Sequence, residues 1–166
     1  MPDAARSPVL NTRLLASSPA TFNQDTRTVE AVVATATPVE RFGERPDGSF
    51  GAWREVLDPN GADTTRLVGG PVLLDHVFST RAQVGVVETV AATPEGLRAR
   101  LRFSSRADLA PIIADVRDGV LRNTSIGYRI ASARRTGGRD DAAPTFTVTS
   151  WEPIEVSLVP DRKSVV

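Results

Sequence analysis

Between residues 96 and 103, Leu97, Ala99, Leu101 and Phe103 are interleaved with Arg98, Arg100 and Arg102. A period of two sends the apolar set to one face and the arginines to the other, which predicts a half-buried strand with a solvated outer face. The same period runs through residues 124–130, where Thr124, Ile126, Tyr128 and Ile130 alternate with Ser125, Gly127 and Arg129. Ser125 is therefore expected to point away from the apolar side. Residues 29–35 are small and β-branched, residues 83–90 are rich in valine, and residues 71–74 are a short apolar run that ends on Asp75 and His76. Each predicts a strand. Two last strands are predicted at 145–150 and 154–159, the second with Ile154, Val156 and Leu158 on one face and Glu155 and Ser157 on the other. Leu109, Ile112, Ile113, Val116 and Val120 instead fall at helical spacing, with Ser104 and Ser105 as candidate N-caps and Gly119 as a stop.

The stretches between these elements carry breakers. Residues 38–51 are rich in Gly, Pro and charge, with Pro46-Asp47-Gly48 as a turn, and predict a loop. Residues 131–144 read as a flexible surface hairpin or insertion. Residues 1–27 are polar with little periodicity and read as a flexible N-terminal arm, residues 28–161 as the folded domain, and residues 162–166 as a C-terminal tail. About seven strands and one clear helix predict a mainly β fold with peripheral helices, built as a small closed barrel.

Composition narrows the chemistry. The chain has 166 residues, 40% of them hydrophobic, which suits one domain with a real core. Its 20 basic and 20 acidic residues cancel, so no global field draws it to nucleic acid or to an anionic membrane, and neither is expected as a partner. No run approaches the roughly 18 apolar residues of a membrane span, and residues 1–20 do not resemble a signal peptide, so the chain is expected to stay in the cytoplasm. It has no cysteine and one histidine, His76. Thiolate chemistry and a two-histidine metal site within one chain are thereby excluded, and no cofactor or metal is expected.

Three polar residues stand where strand patterning does not ask for them: His76, Ser125 and Glu155. A serine hydroxyl becomes a useful nucleophile when a histidine takes its proton, and a carboxylate fixes the tautomer of that histidine and stabilises the imidazolium. The three residue types complete such a set, but their separations can be bridged only by tertiary structure. Each also has a plain reading: a structural histidine at a strand end, a solvent-facing serine, an outward-facing strand carboxylate. Pattern alone stops at a β-rich domain.

Three segments in order change this: Pro71-Val72-Leu73-Leu74-Asp75-His76, then Asp118-Gly119-Val120-Leu121-Arg122-Asn123-Thr124-Ser125-Ile126-Gly127-Tyr128, then Glu155-Val156-Ser157-Leu158-Val159-Pro160. Together they resemble the signature blocks of the prohead maturation serine proteases of tailed bacteriophages, and Gly96-Leu97-Arg98-Ala99-Arg100-Leu101 is similar to the strand that precedes that family's helix. The likeness covers roughly residues 28–161. It implies His76 as general base and Ser125 as nucleophile, with Glu155 as the preferred third member and Asp75 and Asp161 as alternatives. Arg129, on the Ser125 face, is a further candidate for holding an oxyanion or an acidic substrate group.

The resemblance also implies a fold related to the herpesvirus maturation protease and an endopeptidase without cofactor or metal. Its implied substrates are the scaffold protein or the scaffolding segment of the major capsid protein, and the protease itself, cut inside the assembling prohead in the host cytoplasm. A second copy of the chain is thus a partner as substrate, and the reading leaves open whether the chain forms a homo-oligomer. The rival reading is a catalytically inactive, β-rich capsid-assembly or scaffold module with the same fold.

Overall fold

Val29, Ala31 and Ala34 of one strand lie opposite Leu101, Ala99 and Leu97 of its neighbour, and none of the six is more than 2% exposed. Full burial of a valine or leucine side chain stabilises by about 1.5–3 kcal/mol, so this pair of strands anchors the core. The structure is a computed structural model that describes residues 11–138 and 143–160. Its strands are β1 Asn11–Asn23, β2 Thr28–Ala34, β3 Val39–Glu44, β4 Phe50–Leu57, β5 Pro71–Leu74, β6 Gln83–Thr93, β7 Gly96–Phe103, β8 Asn123–Gly137 and β9 Thr145–Val159, with one helix, α1 Ala110–Arg117. Among the described residues the nine strands form one sheet in the order β3-β4-β9-β5-β6-β7-β2-β1-β8, and β8 also pairs with β9. The core also holds Val72, Val84, Val87, Ile126, Tyr128, Trp151, Val156 and Leu158, together with Leu109 and Val116 from the helical segment.

The expected small closed barrel of about seven strands is right in class, since the domain is mainly β, and needs correcting in number: nine strands form one curled sheet, in which β9 pairs on one side with β8 and on the other with both β5 and β4. Strand lengths explain the difference. β9 is 15 residues long and no single strand runs along its other flank; β4 pairs with it in parallel at Thr145 to Val148 and β5 at Val156 to Leu158. The gap between them is spanned by a 3-10 turn at Pro59–Gly61 and a bridge from Ala62 to Trp151. β3 and the first two residues of β4 arise from the segment read as a loop; Pro46-Asp47-Gly48 is its turn, with Gly48 at φ 84°, and the flanks pair as a hairpin.

Two further expectations change. The N-terminal arm was expected up to residue 27, yet residues 11–23 form β1, which lies between β2 and β8. Residues 1–10 and the 162–166 tail lie outside the described residues. The helix is shorter than its spacing suggested. A 3-10 turn at Ala107–Leu109 leads into α1, and Gly119 at φ 74° ends it: its N–H bonds the Val116 carbonyl at 3.2 Å and the Val120 N–H bonds that of Asp115 at 2.8 Å. That left-handed glycine is the usual helix stop, and it turns Val120 outward, 74% exposed. Ser104 accepts from the Arg106 N–H ahead of the turn and does not cap α1.

One polar cluster is built into the packing. Glu55 on β4 is fully buried, and its Oε1 receives Arg13 of β1 at 3.0 Å, Arg41 of β3 at 2.9 Å and the Tyr128 hydroxyl of β8. Arg13 also donates to the Thr35, Thr37 and Glu55 carbonyls. Burial, then the Glu55 carboxylate, push the Tyr128 phenol well above its ordinary value, so it remains a donor to Glu55. Arg13 is only 2% exposed and cannot exchange Glu55 for water. Removing one partner of a buried ion pair typically costs about 3–5 kcal/mol, so Glu55→Gln should lower the urea-measured unfolding free energy by about that amount. A loss below about 0.5 kcal/mol, the size of an ordinary surface change, would mean that the cluster does not hold β1 to the sheet.

Candidate active site

The polar faces of β8 and β9 lie side by side. Ser125 is paired with Ser157 and Gly127 with Glu155, and β5 joins the other edge of β9 with Leu73 opposite Ser157. Directly opposed residues of neighbouring strands share a face, so Ser125, Ser157 and Glu155 stand together. Gly127 contributes no side chain opposite Glu155, which leaves that position to a group arriving from β5.

That group is His76. The chain leaves β5 at Leu74 and takes two consecutive left-handed residues, Asp75 at φ 52° and His76 at φ 59°. Each such non-glycine conformation costs of order 1–3 kcal/mol and persists only where its surroundings enforce it. Here the Asp75 N–H bonds the Leu158 carbonyl at 3.1 Å, the His76 N–H bonds Ser157 Oγ at 3.0 Å, and the Val77 N–H bonds the Leu74 carbonyl at 3.0 Å. The turn lays the imidazole back over β9. Its Nδ1 meets Glu155 Oε1 and its Nε2 lies 2.8 Å from Ser125 Oγ.

The partners of Glu155 set the proton positions when its carboxyl is ionised. Glu155 has no exposed surface, and an ionised carboxylate can only accept. Both groups that touch it must donate: Nδ1–H to Oε1, and the Ser157 hydroxyl to Oε2 at 2.7 Å. With Nδ1 protonated, Nε2 keeps its lone pair and faces the Ser125 hydroxyl. His76 is the wet end of this line, its side chain 28% exposed, so protons can exchange with solvent there. An array of this kind can take a proton from a hydroxyl and stabilise the imidazolium that results.

The other candidates fall elsewhere. Asp75 is exposed, and its carboxylate makes no hydrogen bond to His76 among the described residues. Asp161 lies outside the described residues. Arg129 sits four residues from Ser125, about 13 Å along an extended strand, and its nearest acid is Glu152 at 3.9 Å, so it does not reach the serine. Ser125 was expected to face solvent but is only 5% exposed. Period-two patterning identifies the face and not what covers it. Ser157, placed by its spacing on the Glu155 face but given no role, joins the site; the signal was a second polar residue two positions after Glu155 on the same face.

A mainly β domain that lines up serine, imidazole and buried carboxylate has the constellation used by serine hydrolases. The family model of the Caudovirus prohead serine protease matches residues 23–161, and the chain belongs to that family. A relative from Halomonas phage phiHAP-1, named major capsid protein, is 39% identical over 113 residues, covering 63% of this chain and 18% of that protein. The chain thus spans less than a fifth of that relative's length. No solved structure matches it.

Because the chain has one histidine, its imidazole can be followed without assignment ambiguity. With histidine labelled in 15N, the neutral ring should show the Nδ1–H tautomer and a strongly downfield Nδ1 proton, and Glu155→Gln should move that proton upfield. A wild-type ring in the Nε2–H form would contradict the geometry.

Proposed function

We propose that the chain is a serine endopeptidase working by acyl transfer. Ser125 attacks a peptide carbonyl as His76 Nε2 takes the hydroxyl proton; the tetrahedral adduct collapses as the same proton passes to the leaving amine. Water then attacks the ester carbon as it gives a proton to Nε2, and the second adduct collapses to the free acid as that proton returns to Ser125 Oγ. Glu155 holds the ring in the tautomer that this requires and offsets the charge on the imidazolium. The observation that carries the reading is the unbroken contact from Ser125 Oγ through His76 to the buried Glu155.

The substrate class follows from the family and from the relative. A prohead protease acts where a capsid is assembled, and the similar segment within a protein named major capsid protein supports a capsid-linked substrate. The reading is a scaffold protein, or the scaffolding segment of the major capsid protein, together with this chain itself, cut within the assembling prohead in the host cytoplasm. Kinship with the herpesvirus maturation protease rests on the three sequence blocks. The capsid relative also gives weight to the other reading, an inactive capsid-assembly module of the same fold.

Incubation with the matching capsid protein, followed by mass spectrometry of the fragments, separates the two readings. Wild-type protein should cut at defined sites, and Ser125→Ala should cut nothing while keeping its fold. Capsid protein left whole by the wild type would favour the inactive module. His76→Ala should lose about as much activity as Ser125→Ala, and combining the two should add almost nothing, because groups that act as one unit are grossly non-additive. Independent, multiplying losses would remove His76 from the role of base. Glu155→Gln should lower turnover by about ten to ten thousand fold, with Asp75→Asn mild. A large loss confined to Asp75→Asn would move the third role to Asp75.

A further inference from the structure

We propose that Ser157 is a positioning residue for the reaction, acting through both of its neighbours at once. The inference rests on the endopeptidase reading, under which His76 and Glu155 do the work that Ser157 arranges. Ser157 is fully buried in the middle strand of the β5-β9-β8 trio, opposite Leu73 on one side and Ser125 on the other. A hydroxyl has one proton to give and lone pairs to receive, and this one uses both functions inside the site. It donates to Glu155 Oε2 at 2.7 Å and accepts the His76 backbone N–H at 3.0 Å.

These two bonds close a ring. It runs from the His76 N–H to Ser157 Oγ, from the Ser157 hydroxyl to one oxygen of Glu155, and from the other oxygen back to His76 Nδ1. Each bond answers a need that the rest of the site creates. A buried carboxylate with a free oxygen would be costly, and among the described residues Oε2 has no other donor. A left-handed histidine needs its N–H tied down, and the Ser157 hydroxyl is the side chain that does so. Ser157 also bears on both ends of the imidazole: it sets the backbone from which the ring projects and the rotation of the carboxylate that receives Nδ1–H. A hydroxyl with only a packing role would not need to meet both.

The substrate does not enter this ring, so its loss should act on turnover and not on binding. Ser157→Ala should lower kcat by about tenfold to a hundredfold with KM within about twofold, the scale on which small misplacements of reacting groups act. Ser157→Thr, which restores the hydroxyl, should recover most of the lost kcat. The second readout is the 15N spectrum of the single histidine, recorded in a Ser125→Ala background without substrate. The Nδ1–H tautomer should be exclusive with Ser157 present and should give way to a mixture with Ser157→Ala, the Nδ1 proton exchanging faster with water. Unchanged kcat with an unchanged tautomer would overturn the proposal, as would an equal loss of kcat in Ser157→Thr and Ser157→Ala when both are folded by circular dichroism. Should Ser157→Ala fail to fold, Ser157→Cys, with a similar shape and a weaker donor, carries the same two measurements. If the wild-type chain cuts nothing, the endopeptidase reading fails first, and the tautomer comparison still decides what Ser157 does to His76.

Discussion

A carboxylate with no exposed surface must find its donors inside the protein, and Glu155 on β9 is such a group. Desolvating an unpaired carboxylate costs several kcal/mol or more, so the local structure is organised around meeting that demand. One oxygen is met by Ser157, two residues along the same strand. The other is met by His76, and this requires the chain beyond β5 to fold back over β9 through two left-handed residues. The strain of that turn, the tautomer of the ring and the approach of Nε2 to Ser125 all follow from one buried charge on the strand between β5 and β8.

The same rule gives a different outcome at Glu55. That carboxylate is also fully buried, but its three donors, Arg13, Arg41 and Tyr128, come from three strands, all meet Oε1 and leave Oε2 without a partner among the described residues, and they lead to no nucleophile. The result is a clasp that ties β1 and the β3-β4 hairpin to β8. Its value to function is indirect: β1 runs beside the first half of β8, with Leu14 opposite Ser125, so whatever keeps β1 in register keeps the serine strand flanked. One buried glutamate holds the frame and the other shapes the reactive line.

Much of this was legible in the chain, for identifiable reasons. Strong period-two segments such as residues 97–103 became strands because burial on one face decides their state, and Arg98, Arg100 and Arg102 pair on the outer face with Glu30 and Glu88 as a solvated row would. Three ordered sequence blocks singled out His76, Ser125 and Glu155, and the fold brings those side chains into contact. β1 escaped notice because Arg13 and Ser17 are buried polar residues and Pro19 coincides with a register shift, so no clean alternation survives. The β3-β4 hairpin was hidden by turn residues and charges whose partners, Glu55 above all, are set by tertiary structure. Barrel closure depends on how strands of unequal length share an edge, and local pattern carries no record of that. Ser157 looked unremarkable because its importance comes from the histidine backbone, which approaches it from a distant part of the chain.

The claim at the centre is that His76 activates Ser125, and it can be tested without knowing the substrate. A fluorophosphonate phosphonylates an activated serine oxygen with loss of fluoride, and peptide mapping by mass spectrometry then locates the adduct. The account predicts one adduct, on Ser125, in the wild-type chain, and its disappearance in His76→Ala at equal folding. Labelling of Ser125 that is as fast in His76→Ala as in the wild type, or adducts spread over other serines with none on Ser125, would contradict it.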